Sequence, residues 1–549
     1  MALDLSKVRI QATTLGDLLL TAADQYPETD VVVLPDKRIT YAELVERAMH
    51  RARGLRALGV KPGDHVGLLL PTSMDFVESM FAISLLGAVT VPINARYQPP
   101  ELAYVTKNAD LVAILTTDEF DEAVNFVERL HAALPSLKDG DPASLSLPEA
   151  PRLRNVVIFG DTESPGTLTQ AQFDARAGDV DDAEVHLRRI QTRLGSTAII
   201  LYTSGTTANP KGCMISHEAM VRNSMALADR YELTAEDSFW SPLPMFHIAA
   251  ILPLCSIMAK GGTYITTPHF NAGEALDTLE TEKVTCTYPC FWTIMGDLIN
   301  HEKFPDTDLS RIRLMNANFA VQPEVVGQKM EAAMPDTVYV GTFGMTETAG
   351  TVTTGRLDDT REQRFTRLGE PLAGLEIKVV DEDGNDLPSG ERGEALIRGY
   401  SLFTEYYKAP DKTAEALDAD GWFHSGDMCS IDDDGQVMFH GRIKDMLKVG
   451  GENVAAIEIE SQLQKHEAVK LAQVVGIPDA RMQEIPAAFV EFNEGQSATE
   501  DELIAFCKGE IANFKVPRHV RVVTEWPMSS TKIQKFRLRD QIVAELGLE

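Results

Sequence analysis

The feature that most constrains this chain is the rhythm of its first 355 residues. Short apolar runs alternate with segments whose apolar residues recur at helical spacing. Leu15 to Ala23 and Tyr41 to Leu58 read as helices. Val66 to Leu70, Thr90 to Asn94 and Leu111 to Leu115 read as buried strands, with Pro71 to Asp75 as a helix entry. This βαβα order predicts mostly parallel sheets with helices on both faces. Ala198 to Tyr202 is a further strand, running into a loop dense in Gly and Thr. Residues 135–153 read as a surface loop, and residues 161–196 as polar, with helical fragments at best. From Leu375 the texture turns to hairpins: Glu376 to Val380, an acidic turn, then Gly393 to Arg398. A last block at 445–549 predicts helices at 455–466 and 500–512 and strands at 471–477, 486–492 and 519–524. The expected fold class is α/β. A large N-terminal domain (1–443) holds the parallel sheets and a β-rich unit at about 360–443, and a small α+β domain (444–549) follows.

Charge excludes some partners. The 549 residues carry 51 basic and 82 acidic side chains, a net of −31. Nucleic acid and anionic membranes need a clustered positive surface, so neither is an expected partner. One region departs from this balance. Between Lys508 and Arg539 stand Lys508, Lys515, Arg518, Arg521, Lys532, Lys535, Arg537 and Arg539 against Glu510 and Glu525. That cluster suits a polyanionic small molecule, or a solvated face that balances the acidic body. The six cysteines form no CxxC, and Cys286 and Cys290 read as core rather than metal ligands, which suits a reducing compartment. No basic segment precedes an apolar run at the start. The most apolar stretch, Met245 to Ala259, falls short of a membrane span and contains Pro253. A cytoplasmic protein is expected.

The strongest local signal is Tyr202-Thr-Ser-Gly-Thr-Thr-Ala-Asn-Pro-Lys-Gly212. Glycine lets a backbone approach phosphate oxygens closely, while hydroxyls and N–H groups donate to them and Lys211 adds a point charge. It is not a Walker A loop, because Pro210 and Gly212 stand where that motif needs Gly and Ser or Thr.

This loop resembles the phosphate-binding signature of the adenylate-forming superfamily: acyl- and aryl-CoA synthetases, peptide-synthetase adenylation domains and luciferases. Further motifs are similar in the same order: Phe343-Gly-Met-Thr-Glu347, Gly421-Trp-Phe-His-Ser-Gly-Asp427, Gly441-Arg-Ile-Lys-Asp445, Gly450-Gly-Glu-Asn-Val454, Asn513-Phe-Lys-Val-Pro517 and Ser530-Thr-Lys-Ile-Gln-Lys535. The resemblance runs from about residue 12 to 545. It implies an acyl-CoA synthetase with ATP and CoA as co-substrates and Mg²⁺ as cofactor. Thr203, Ser204, Gly205, Thr206, Thr207 and Lys211 would hold phosphates, with Thr342, Gly344, Met345 and Asn318 around the nucleotide. Phe343 would stack on adenine, and Asp427 and Arg442 would bind the ribose. Thr346 would donate to phosphate and Glu347 would ligate Mg²⁺. Lys532 would stabilise the charge that builds as the carboxylate attacks the α-phosphate. Lys535, three residues on and able to share a helical face with it, is the rival. Lys444 would be the hinge of a mobile small domain, and Lys448, Gly450 and Gly451 would meet CoA.

The chain departs from the family pattern in four places. Ser425 replaces a Thr, Thr531 and Ala208 each replace a Gly, and Asn316-Ala-Asn-Phe-Ala320 stands where Ser-Gly-Gly-Ala-Pro is usual. Phe246, His247, Trp292 and Asn316 are expected around the acyl group, with His247 either gating the tunnel or packing in the core. Pro244 to Ala249 holds no Asp to meet an α-amino group, so an apolar acid is expected: aliphatic, alicyclic or aromatic. A carrier protein in place of CoA, a luciferase-type oxygenase, a non-catalytic nucleotide-binding regulator and a homodimer stay open.

Overall fold

The computed structural model describes residues 13–118, 124–203, 210–321, 324–449, 452–479, 481–529 and 532–548. Two seven-stranded sheets carry the large region. In the first, Leu168–Thr169, Asn155–Phe159, Leu111–Thr117, His65–Leu69, Val89–Pro92 and Thr197–Thr203 lie side by side and parallel. Lys211–Ser216 closes that sheet antiparallel. In the second, Val338–Val340, Leu314–Asn316, Cys286–Thr287, Ser238–Trp240, Thr263–Ile265 and Asp30–Val33 are parallel, with Arg38–Thr40 antiparallel at the edge. The strand Leu111–Thr117 is buried at every position, as a parallel strand covered on both faces must be.

The predicted helices form at Leu15–Gln25 and Tyr41–Ala57. The second starts with a capping box in which Thr40 and Glu43 satisfy each other's backbone N–H. Helix Met74–Leu85 is buried all round except at Asp75, so it packs on both sides. The apolar stretch near Pro253 is the buried helix Ile248–Met258. Among the described residues no helix is long and apolar enough to cross a membrane.

Residues 135–153 run over the surface as expected, after the short 3-10 turn Pro135–Asp139, and are anchored by Leu137, Leu145, Leu147 and Leu153, which are buried beside the first sheet. One expectation needs correction. Residues 161–196 hold two defined helices, Gln170–Ala177 and Asp182–Gln191, anchored by buried Phe173 and Val185. Their polar composition reflects helices that bury one narrow stripe and leave the rest wet.

Beyond the large sheets lie a three-stranded sheet (Thr342–Met345, Gly350–Thr354, Glu370–Pro371) and a four-stranded antiparallel sheet. The latter is Leu375–Val380, Gly393–Gly399, Phe423–Ile431 and Val437–Arg442. The C-terminal sheet orders Glu452–Ala455, Met446–Val449, Gln483–Phe492 and Val469–Asp479, with His519–Val522 parallel to Gln483–Phe492. Helices Ala456–Leu463, Glu500–Cys507 and Lys535–Leu546 accompany it. Much of the basic cluster is neutralised inside this unit. Lys515 pairs with Glu458, Arg521 with Glu500 and Glu545, and Lys535 with Glu460, while Arg539 donates to the Gly476 carbonyl.

Candidate active site

Segments expected around the ligands leave the C-terminal ends of the parallel strands, where open α/β sheets bind ligands. Strand Ser238–Trp240 leads to Phe246, Cys286–Thr287 to Phe291, Leu314–Asn316 to Asn318, and Val338–Val340 to Thr342.

The loop expected to hold phosphate joins two antiparallel strands in which Thr203 faces Lys211. Ser204, Gly205, Thr206 and Thr207 lie outside the described residues. Lys211 Nζ stands 4.0 Å from the ring centroid of Tyr406, a cation–π contact. The Tyr406 hydroxyl in turn donates to Glu347 Oε1 at 2.8 Å. Backbone pairing sets this up: Thr404 N–H donates to Met214 O, Met214 N–H to Glu405 O, and Tyr407 N–H to Gly212 O. Residues 404–407 thus run along the strand that starts at Lys211. Burial first, then the Glu347 charge, raises the Tyr406 hydroxyl well above the ordinary tyrosine range, so it stays a donor.

Thr346 and Glu347 sit half-buried in the 3-10 turn Thr346–Thr348, and the Phe403 N–H donates to the Glu347 carbonyl. Met345 precedes that turn, and its N–H donates to Thr348 Oγ1 at 3.1 Å. Gly344 faces the neighbouring strand so closely that a Cβ would lie 1.9 Å from the Gly350 carbonyl oxygen. The Phe343 ring packs 6.4 Å from Phe439 and the residue is 5% exposed, too little for a full stacking face toward a base.

Asp427 is buried and pairs in register with Arg442, whose Nε lies 3.4 Å from Asp427 Oδ1. Lys444 follows one turn later. Its ammonium is held below the ordinary lysine value by desolvation, then by Arg442 and, more weakly, Lys211, against Asp445 and Asp427.

The departure at 316–320 has a structural reason. Asn318 takes φ +49°, the left-handed region that glycine favours and that asparagine tolerates best among side-chain-bearing residues. Its Oδ1 accepts from the Thr342 N–H at 2.5 Å. Asn316 is fully buried and donates to Tyr231 Oη at 3.0 Å and Thr342 Oγ1 at 2.5 Å. The two asparagines therefore tie this loop to Thr342 from inside.

Phe246 is buried, with its ring 4.6 Å from that of His247, which is half-buried at the N-cap of Ile248–Met258. Trp292 opens helix Trp292–Asn300. A cavity of about 1400 Å³ is lined by Phe246, Phe291 and Ile294 on one side and by the C-terminal unit on the other. Lys448 is exposed, and its backbone N–H donates to Glu484 Oε2 at 2.8 Å. Gly450 and Gly451 lie outside the described residues.

Residue 532 belongs to the two-residue strand Lys532–Ile533, whereas Lys535 opens helix Lys535–Leu546. They share no helical face, and the Lys535 ammonium is held by Glu460 at 2.5 Å. Sequence reasoning missed Tyr406 and Tyr231. Their partners Glu347 and Asn316 lie 59 and 85 residues away, so no local motif marks them. Cys213 is buried and its thiol pushed well above the ordinary range by desolvation, which makes it inert. Among the described residues no group of three or more His, Cys, Asp or Glu could hold a metal.

A family model of AMP-binding enzymes matches residues 19–407, and one of the AMP-binding enzyme C-terminal domain matches residues 458–532. The chain belongs to this family of adenylate-forming enzymes. A putative acyl-CoA synthetase, YngI, of Bacillus subtilis is 33% identical over 98% of both chains. The human mitochondrial medium-chain acyl-CoA ligase ACSF2 is 32% identical over 99% of this chain and 90% of its own. A Rhodococcus jostii ligase that joins a bicyclic 3-(octahydroindenyl)propanoyl group to CoA is 32% identical over 97% and 99%. Among solved structures, the anthranilate CoA ligase AuaEII with anthranoyl-AMP superposes with a TM-score of 0.86 over 100% of both chains, at 26% identity. Within its family, then, the chain stands in the acyl-CoA synthetase branch, as an AMP-forming acid–CoA ligase.

Proposed function

We propose that the substrate is an apolar carboxylic acid, joined to CoA in two half-reactions. The carboxylate oxygen attacks the α-phosphorus of ATP, the bond to the β-phosphate breaks, and pyrophosphate leaves. The CoA sulfur, its proton lost, then attacks the acyl carbon, and the bond to AMP breaks. One observation supports this reading: Lys211 and Glu347, from two separate motifs, are joined into one contiguous chain through Tyr406.

Lys211 holds phosphate charge, Asp427 accepts from the ribose hydroxyls, and Thr346 donates to phosphate. Lys532 supplies the ammonium for the adenylation step. Lys444 is the pivot about which the small unit turns, so that residues 448–451 reach the thiol in the second step. Glu347 fits Mg²⁺: it offers one carboxylate, already oriented by Tyr406, and Mg²⁺ takes most of its ligands from phosphate and water. When bound, the ion neutralises phosphate charge. Phe246, Phe291 and Ile294 provide an apolar wall for the acid.

The test is a panel of aliphatic, alicyclic and aromatic acids with ATP, Mg²⁺ and CoA, read by mass spectrometry. Thioester and AMP from an apolar acid support the reading. Adenylate without thioester sinks the CoA half, and turnover only of amino or dicarboxylic acids sinks the apolar assignment.

A further inference from the structure

The antiparallel pair Gly393–Gly399 and Phe423–Ile431 slips register beside Asp427. Glu394 faces Met428, and Leu396 faces His424. Between those positions one strand has Ala395 alone, while the other has Ser425, Gly426 and Asp427. The longer segment bulges from the ladder, and a bulge re-aims the side chains it carries. Gly426 takes φ +68°, the left-handed conformation that glycine adopts without steric cost. Asp427 follows it and is 3% exposed, so the bulge decides where its carboxylate points.

Backbone N–H groups in a bulge need acceptors other than the facing strand. Glu394 supplies one: the Gly426 N–H donates to its Oε1 at 2.9 Å. Its Oε2 lies 3.0 Å from His424 Nδ1, so a single carboxylate spans the turn that leads into Asp427. The Asp427 N–H donates to Ser425 Oγ at 3.1 Å, and the Ser425 hydroxyl donates to the Ala395 carbonyl at 2.6 Å. Both peptide N–H groups that lead into Asp427 are therefore held by side chains. On its other flank Asp427 pairs in register with Arg442. The Glu394 side chain is 23% exposed, so it can be exchanged without opening the core.

We propose that Glu394 is a positioning residue for the nucleotide: its carboxylate fixes the bulge at 425–427 and thereby aims Asp427 at the ribose. The inference rests on the reading of Asp427 as the ribose acceptor and adds what holds it in place. A binding group must stay within about 0.5 Å of its productive position, which requires neighbours that lock it. Reach and charge can be separated at this position. Glutamine keeps the reach and an oxygen for the Gly426 N–H. Aspartate keeps the charge but is one methylene too short to hold both Gly426 and His424, and alanine keeps neither.

The test is equilibrium binding of ATP and of 2′,3′-dideoxyATP with Mg²⁺, measured by titration calorimetry on the full chain with no acid present. The ratio of the two affinities reports the ribose hydroxyls alone. One hydroxyl bonded to a charged group is worth roughly tenfold or more, so the wild type should prefer ATP by at least that factor. Asp427→Ala sets the floor of the ratio. Glu394→Ala and Glu394→Asp should lower the ratio toward that floor, by roughly threefold or more, whereas Glu394→Gln should stay within about twofold of the wild type. Melting temperatures of the same variants separate a positioning role from a purely structural one.

A ratio that falls in Asp427→Ala but holds in Glu394→Ala and Glu394→Asp overturns the inference and leaves the ribose reading standing, even where the melting temperature drops. A Gln variant as impaired as Ala also overturns it, because charge and not reach would then be at work. A ratio that Asp427→Ala leaves unchanged sinks the ribose reading of Asp427, and this inference with it.

Discussion

Replacing Tyr406 by Phe removes one hydroxyl and leaves the ring. The hydroxyl donates to Glu347 Oε1 at 2.8 Å, and the ring carries Lys211 Nζ at 4.0 Å, so the two functions separate. A hydrogen bond to a charged group is worth about 1.5–3 kcal/mol when both partners are buried. Glu347 is half-buried and water can replace part of the bond, so about 1 kcal/mol is expected, a factor of about five. Tyr406→Leu also removes the cation–π contact, worth about 0.5–2 kcal/mol more according to its desolvation. The assay is acid-dependent ATP–pyrophosphate exchange against MgCl₂ concentration. Tyr406→Phe should need several-fold more Mg²⁺ for half-maximal rate and recover most of its rate at saturation. Tyr406→Leu should stay depressed at saturating Mg²⁺, because Lys211 has lost its platform. A magnesium titration of Tyr406→Phe that overlays the wild type refutes the claim that this hydroxyl orients Glu347.

Other expectations follow from the same geometry. His217 is buried, accepts from the Leu15 N–H through Nδ1, and has its pKa lowered by desolvation to about 4. The unfolded chain therefore binds a proton that the fold refuses, and stability falls as pH drops from about 6.5 toward 4, by on the order of 3 kcal/mol. Urea unfolding across that window should show the loss, and His217→Gln should reduce it, with His440, also held to about 4 by burial and then Arg392, carrying part of the rest; an identical slope in the variant removes His217 as a cause. At Asn318, glycine keeps the left-handed backbone but loses the bond to Thr342, whereas alanine loses the bond and adds about 1–2 kcal/mol of strain. Melting temperature and ATP affinity should rank Asn, then Gly, then Ala, and a stable, tight-binding Asn318→Ala contradicts this. Cys213→Ala should retain adenylation activity at a small cost in stability, since the thiol is buried and inert; loss of activity in a folded variant would assign it a role.

Local patterns marked the strands, the early helices and the motif residues, because each depends on spacing within a few neighbours. Leu111 to Leu115 announces itself as a continuous apolar run, and Tyr41 to Leu58 by apolar residues at helical spacing. The helices at Gln170–Ala177 and Asp182–Gln191 were hidden by polar composition, since each buries little. The rivalry between Lys532 and Lys535 rested on assumed helical periodicity, and the chain changes from strand to helix between them.

What the chain alone determined is its family and the motifs that mark it: a Gly/Thr-rich loop ending in Lys211, an acid at 347, and Asp427 and Arg442, with phosphate and ribose as their proposed partners. These are legible because a backbone that must approach phosphate, or a carboxylate that must meet a hydroxyl, needs particular residue types at fixed local spacing. Tertiary structure decided which side chains orient them. Tyr406 reaches Glu347 only because residues 404–407 pair with the strand after the phosphate loop. Asn318 replaces glycine because its backbone is left-handed and its amide meets Thr342. Contacts between residues tens to hundreds of positions apart carry no periodic signature, since the chain between them is free to vary in length and composition as long as the ends meet.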